Sequence, residues 1–293
     1  MNKEYIVTAR SNQVAKNGSH YANLKVTAQK GEAFNVTVWD MDENEGPHVE
    51  DIVTLDLDAM KGIKFPKMAD FGWFRNCRKA TENDPLYQLI PRPIAKEDWD
   101  LCINHLQELC KQREEGCDEK LMEFIQQERD NLYEQYSNQT AATSLHHAFK
   151  GGLLNHTYEL LHMLEGLYPM LPPLKLERCI IAILFHDYGK LKEYDENMEG
   201  TKYMYLMGHT YISAHVLHNK LNAAGIGNEE TIRIVHCVLA HHGQLEFGSS
   251  VVPCTQEALV VHYIDNLSAR TYACDETANM EKCFALGTKV IKG

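Results

Sequence analysis

The alternation of apolar and polar positions changes character once along this 293-residue chain. From Tyr5 to about Leu57, short alternating runs rich in Val, Thr and aromatics (YIVTA, YANLKVTA, FNVTVWDM) are separated by the turn signals NGSH and KGEA. A two-residue period with turn residues between the runs predicts a small antiparallel sheet or barrel. Asn83 to Pro93 carries three prolines and no clear period, which makes it a linker, taken as residues 83–95. From Lys96 a helical period takes over, with Trp99, Ile103, Leu106 and Leu109 on one face and Leu121, Phe124 and Ile125 opening the next. The segments LLNHTYELLHMLEGL, LERCIIAILFHDYGK, TYISAHVLHNKLNAA, ETIRIVHCVLAHHG and TQEALVVHYIDNLSAR continue it, with Gly or Pro between them. The expected fold is multidomain: an all-β, barrel-like domain over residues 1–82, the linker, and an all-α domain over 96–293 with its core at about 140–275. No internal repeat interrupts this order.

Composition narrows the class. The chain is about twice a typical domain in length, and its 44% hydrophobic and 24% charged residues are those of an ordinary globular protein. Met1 to Arg10 lacks the apolar core of a signal peptide, and the longest purely apolar run, Cys179 to Phe185, is too short for a bilayer. The expected location is the cytoplasm, with no membrane partner. Nine cysteines without a CxxC pair suggest reduced, mostly buried thiols, and Cys102, Cys110 and Cys117 recur as small apolar residues on a helix face would. A net charge of -12 argues against a broad, non-specific grip on duplex DNA. It leaves room for a local basic groove. The acidic stretch Asp42 to Asp58 and the basic run Lys61 to Lys79 read first as solvated surface.

The chemistry lies in the histidines, twelve of whose fifteen fall between His146 and His262. His162, His215, His218, His236 and His262 have the company of ordinary core or surface residues. The remainder differ. His186 and Asp187 follow the apolar run CIIAILF and precede Tyr188-Gly189-Lys190, so an imidazole and a carboxylate sit where a buried helix ends. A buried carboxylate is costly without a partner, and a divalent cation supplies one. Asp265 is a second acid inside an apolar helix, read as a ligand in preference to an ion pair with Arg270 or a helical hydrogen bond. The adjacent pair His241-His242 closes a helix before Gly243; neighbours there point about 100° apart, which suits a cluster of more than one ion. His209, after Gly208, begins another helix and offers a further nitrogen.

The ordered series H, HD, H, HH, D resembles the HD phosphohydrolases. That resemblance implies His156, His186, Asp187 and Asp265 around one metal, and Asp187, His209, His241 and His242 around a second. The segments HHAFKGGLLNHT, ILFHDYGKL, LMGH, LAHHGQLEFGS and HYIDNLSAR are similar to those of YhaM-type 3'-to-5' exoribonucleases over nearly the whole chain. In that family an N-terminal OB-fold precedes the HD domain, and the strands ending in VTVWDM resemble its nucleic-acid-binding barrel.

The expected reaction is phosphodiester hydrolysis by a metal-activated water, with no protein nucleophile required. Imidazole-rich ligation favours manganese first, with iron, cobalt, nickel or zinc as alternatives to magnesium's oxygen sites. Lys190, one turn beyond His186, either meets a non-bridging phosphate oxygen or stays exposed. His146 and His147 resemble substrate-facing positions or form a surface pair at a helix start. Arg270 reaches a phosphate or pairs with Asp265 or Glu276. In the barrel, Trp39 and Tyr21 stack on bases or fill the core, while Lys25 and Arg10 are candidates for phosphates. The leading expectation is a 3'-to-5' exonuclease on single-stranded RNA, with DNA as a further polymer; a homo-oligomer is allowed. A phosphodiesterase of small or cyclic nucleotides is the alternative, and a regulatory module with an inactive HD site is a third reading.

Overall fold

Residues 2–29, 33–56, 58, 74–114, 116–142, 147–195, 199–277, 280–283 and 285–292 are described in a computed structural model of the chain. They form two compact units, Met1–Arg92 and Pro93–Gly293.

The first unit is built on strands β1 (Asn2–Val14), β2 (His20–Thr27), β3 (Ala33–Trp39), β4 (Asp51–Asp56) and β5 (Phe74–Lys79), in the sheet order β3-β2-β1-β4-β5. Every neighbouring pair is antiparallel. β1 is long because it serves two partners: Asn2 to Ile6 pair with β4, and Ile6 to Val14 with β2. The partners change over at Ile6, and a register shift between Val7 and Ala9 marks a bulge-like irregularity in the pairing with β2. The period of two then sorts the faces. Ala22, Leu24 and Val26 of β2 and Val36 and Val38 of β3 join Tyr5, Val7, Val53 and Leu55 in one core. Ile6 and Ile52 point the other way and are covered by Leu86 and Ile90, which flank a 3-10 turn at Tyr87–Leu89. That turn falls within the stretch expected to be a linker.

Two charged segments find local partners. Arg10 is turned inward: four of its five N–H donors go to Asn12 Oδ1 and the carbonyls of Asp42, Glu45 and Pro47, so it ties down the acidic loop and is not presented as a phosphate fork. That corrects its expected role. Arg78 pairs with Asp84 and Lys79 with Asp51. Lys61, Lys64 and Lys67 lie outside the described residues.

The second unit contains α1 (Lys96–Lys111), α2 (Glu119–Tyr136), α3 (Gly152–Leu167), α4 (Leu176–Phe185), α5 (Lys190–Glu193), α6 (Lys202–Leu206), α7 (His209–Ala223), α8 (Asn228–Leu239) and α9 (Gln256–Glu276). α4 is apolar nearly all round and is buried among α2, α3, α8 and α9, as a helix without a polar face must be. Its one buried acid, Glu177, accepts from the Arg113 guanidinium at 2.6 Å and from the Asp118 backbone N–H at 2.9 Å. Past α9 a short ribbon, β6 (Lys282–Cys283) and β7 (Thr288–Lys289), packs Cys283 and Val290 against Ala273. The unit is therefore helical with a small β appendage, where an all-helical one was expected. The apolar side chains of those few residues are too sparse to carry a period. Among the described residues no helix is long and apolar enough to cross a membrane.

Candidate metal centre

Five helix ends and helix interiors supply the side chains of the histidine–aspartate cluster. α3 buries Leu153, Leu160, Leu161 and Leu164, and this places His156 inward one turn after the helix starts. α4 stops at Phe185, and the Tyr136 hydroxyl donates to the Leu184 carbonyl at 2.7 Å, satisfying one of the acceptors a helix end leaves open. His186 and Asp187 follow immediately. Gly189 allows the chain to turn close under α7: a Cβ there would lie 2.3 Å from the His209 carbonyl oxygen. α8 stops at Leu239, and His241-His242 come next. Gly243 then adopts φ +79°, and a Cβ would lie 2.1 Å from Cε1 of His262. His262 in turn holds the His241 carbonyl at 2.7 Å through Nδ1, a supporting role compatible with its bland sequence context.

The same device orients two of the histidines. His186 Nδ1 donates to the Ile183 carbonyl at 2.8 Å, and His241 Nδ1 to the Val238 carbonyl at 2.6 Å. In each case an imidazole caps the last turn of its own helix, and its tautomer is fixed with Nε2 bare and aimed inward. His209 is held by a different partner. Glu193 accepts both its backbone N–H, at 2.5 Å, and its Nδ1–H, at 3.0 Å.

The inward-pointing atoms surround Asp187. Its Oδ2 lies 3.3 Å from His186 Nε2 and 3.7 Å from His156 Nε2, while its Oδ1 lies 3.5 Å from His209 Nε2 and 3.9 Å from His241 Nε2. His156 Nε2 is also 3.2 Å from Asp265 Oδ1 and 3.2 Å from His186 Nε2. On the other side, His209 Nε2 and His242 Nε2 are 3.3 Å apart. One ligand atom each from His156, His186 and Asp187 falls within a 4.8 Å span, as does one each from His209, His241 and His242. Nitrogen lone pairs this close, with no proton available to sit between all of them, are a donor set that suits cations. His241 Nε2, aimed into the cluster, is buried without a hydrogen-bond partner.

The electrostatics follow from burial and proximity. Burial pushes the imidazoles of His241, His242 and His156 below their ordinary values, and the neighbouring imidazoles act in the same direction. They remain neutral and able to ligate at physiological pH. Burial opposes ionisation of Asp187 and Asp265, but Lys190 and His186 around the first and His156 and His186 around the second outweigh it and hold both carboxyls ionised. Burial is likewise outweighed at His186, whose contact with Asp187 raises it. Lys190 Nζ sits 2.6 Å from Asp187 Oδ2.

All seven residues singled out as ligands thus converge. Of the others, His147 lies beside them: its ring is 5.6 Å from that of His156 and 4.9 Å from Tyr272, and its Nε2 is 3.0 Å from Glu159 Oε2. His146 lies outside the described residues. Arg270 is exposed on α9 and makes no ion pair with Asp265 among the described residues; five residues apart on a helix, the two side chains point about 140° from one another. Asp265 is engaged by His156 instead. In the first unit, Tyr21 and Trp39 are cross-strand partners whose rings stack at 4.7 Å and 27° on the face opposite the core. Lys25 shares that face. Glu193 escaped the sequence reading. Its signal was an acid in a four-residue helix directly after the HD motif, buried to 4% exposure although flanked by charges.

Residues 153–270, within the second unit, match the HD domain family, and the His/Asp clusters they hold fit a divalent metal site. Similarity to individual proteins extends further along the chain. It is 28% identical over 280 residues to 3'-5' exoribonuclease YhaM of Bacillus pumilus (strain SAFR-032), covering 92% of this chain and 85% of that one. It is 25% identical over 289 residues to 3'-5' exoribonuclease YhaM of Bacillus subtilis (strain 168), covering 94% and 87%. A shorter stretch of 137 residues is 36% identical to the YhaM of Halalkalibacterium halodurans, covering 46% of this chain and 43% of that one. No solved structure gives a significant match.

Proposed function

We propose that this chain is a metal-dependent 3'-to-5' exoribonuclease of the cytoplasm, acting on single-stranded RNA. The observation that carries the proposal is the placement of one carboxylate, Asp187, with Oδ2 toward His156 and His186 and Oδ1 toward His209 and His241. In this reading His156, His186, Asp187 and Asp265 hold one cation, and Asp187, His209, His241 and His242 hold a second, with manganese favoured by the imidazole-rich set. Divalent ions held there would make a bound water nucleophilic near neutral pH and offset charge on the attacked phosphate and the leaving oxygen.

The chain's own residues prepare that reaction. His186 and His241 enter it pre-oriented by their helix-end carbonyls, and His209 by Glu193, so little ordering is left to occur on binding. Lys190 brings a positive charge to the cluster's edge, where a non-bridging phosphate oxygen would meet it. His147, steadied by Glu159, flanks the His156 side and is assigned to substrate contact. The β unit is read as an OB-fold on its five antiparallel strands, with a long β1 that pairs with both β2 and β4. Its stacked Tyr21 and Trp39, with Lys25 on the same face, resemble the aromatic and cationic elements that bind single strands.

Incubation of 5'-labelled single-stranded RNA with Mn2+ tests this. Wild type should produce a ladder shortening from the 3' end, and His186→Ala and Asp187→Ala should not. An intact oligonucleotide beside a hydrolysed mononucleotide or cyclic nucleotide would contradict the polymer assignment and leave only the phosphodiesterase reading.

A further inference from the structure

α1 and α3 pack together and carry two pairs of metal-binding side chains at i, i+3 spacing: Cys102 and His105 on α1, His162 and Glu165 on α3. A three-residue step returns to the same helix face. The pairs therefore confront each other. The Cys102 thiol, one His162 nitrogen and one Glu165 oxygen lie within 4.8 Å of one another. Glu165 Oε2 is 2.8 Å from His162 Nδ1, and its Oε1 contacts His105 Nδ1. Cys102 is buried, whereas the two histidines are open to solvent, so the cluster has a sulfur floor and an accessible mouth. Six residues separate His162 from His156, which is about 9 Å along α3 and about 240° around it. The cluster shares no residue and no helix face with the centre around Asp187.

We infer that Cys102, His162 and Glu165, with His105 completing a tetrahedron, bind a thiophilic divalent cation of the zinc class and clip α1 to α3. One thiolate, two imidazoles and a carboxylate are the ligand types such a cation takes in four-coordinate sites. The centre around Asp187 has no sulfur, so the two sites differ in chemical preference. On binding, the Cys102 S–H bond breaks, its proton passes to water, and a sulfur–metal bond takes its place. Without the cation, burial and the Glu165 charge push the Cys102 thiol up to about 12, so the cation is what makes the thiolate tenable. The clip would brace the helix that carries His156.

The full-length protein, stripped with a chelator and titrated with Co2+, provides the test. Thiolate ligation gives a sulfur-to-cobalt charge-transfer absorption that the imidazole–carboxylate centre cannot produce. Wild type and Asp187→Ala should both show the band, with an amplitude that corresponds to one sulfur-bound Co2+ per chain, and Zn2+ should bleach it. Cys102→Ser should lack it. His162→Ala, an exposed change with little effect on folding, should weaken cobalt binding by at least about tenfold, since loss of even an outer-shell partner has that effect. No band in wild type, or a band that persists in Cys102→Ser, overturns the inference.

Discussion

Glu193 touches no atom that is proposed to hold a metal, yet it fixes both the backbone and the ring of His209. Glu193→Gln keeps its volume and loses the charge, so metal affinity should fall by roughly 10–100-fold with folding intact, as read by Mn2+ titration alongside circular dichroism. Titration of the imidazoles themselves sets a pH dependence for the metal-free protein. Burial lowers His241, His156 and His242 below the ordinary value of 6.5, so the unfolded chain takes up these protons first. Their contribution is complete above that value and is lost as the pH falls below it and through the lowered values of the folded state. His186 is shifted the other way and acts against them. Urea unfolding of chelator-treated protein should therefore show less stability at pH about 5.5 than at about 7.5. The cluster residues were legible in sequence because imidazoles and acids stood where a helical period called for leucine. Glu193 and Arg10 were not, because residue type does not say whether a charge faces water, a ring nitrogen or three carbonyls.

Helix ends do much of the positioning here. α4 and α8 each stop so that the imidazole just beyond can cap the last turn, and a glycine follows each motif to let the chain leave. Gly243→Ala should cost roughly 1–3 kcal/mol from the left-handed backbone alone, before the clash with His262 adds to it. Thermal unfolding of the variant measures this, and an unchanged midpoint would contradict the assigned geometry. The strands and long helices were legible from periods of 2 and 3.6. The confrontation of Cys102 with His162 was not, because each reads as ordinary on its own helix and only the packing of α1 on α3 brings them together.

The two compact units divide the work of a polymer hydrolase if the β unit holds the strand and the helical unit cuts it. Deleting residues 1–92 should then depress RNA degradation strongly while hydrolysis of a chromogenic mononucleotide diester continues, provided circular dichroism shows the helices retained. Equal loss on both substrates would argue that the β unit serves folding. The order of units was visible in the change of period near residue 96, but the covering of Ile6 and Ile52 by Leu86 and Ile90 was not, because a proline-rich stretch has no period to betray that it packs. Anomalous diffraction from Mn2+-loaded crystals tests the account at its root. Two peaks should flank Asp187, one among His156, His186 and Asp265 and the other among His209, His241 and His242. A single peak that leaves either group without metal, or peaks distant from Asp187, would contradict it.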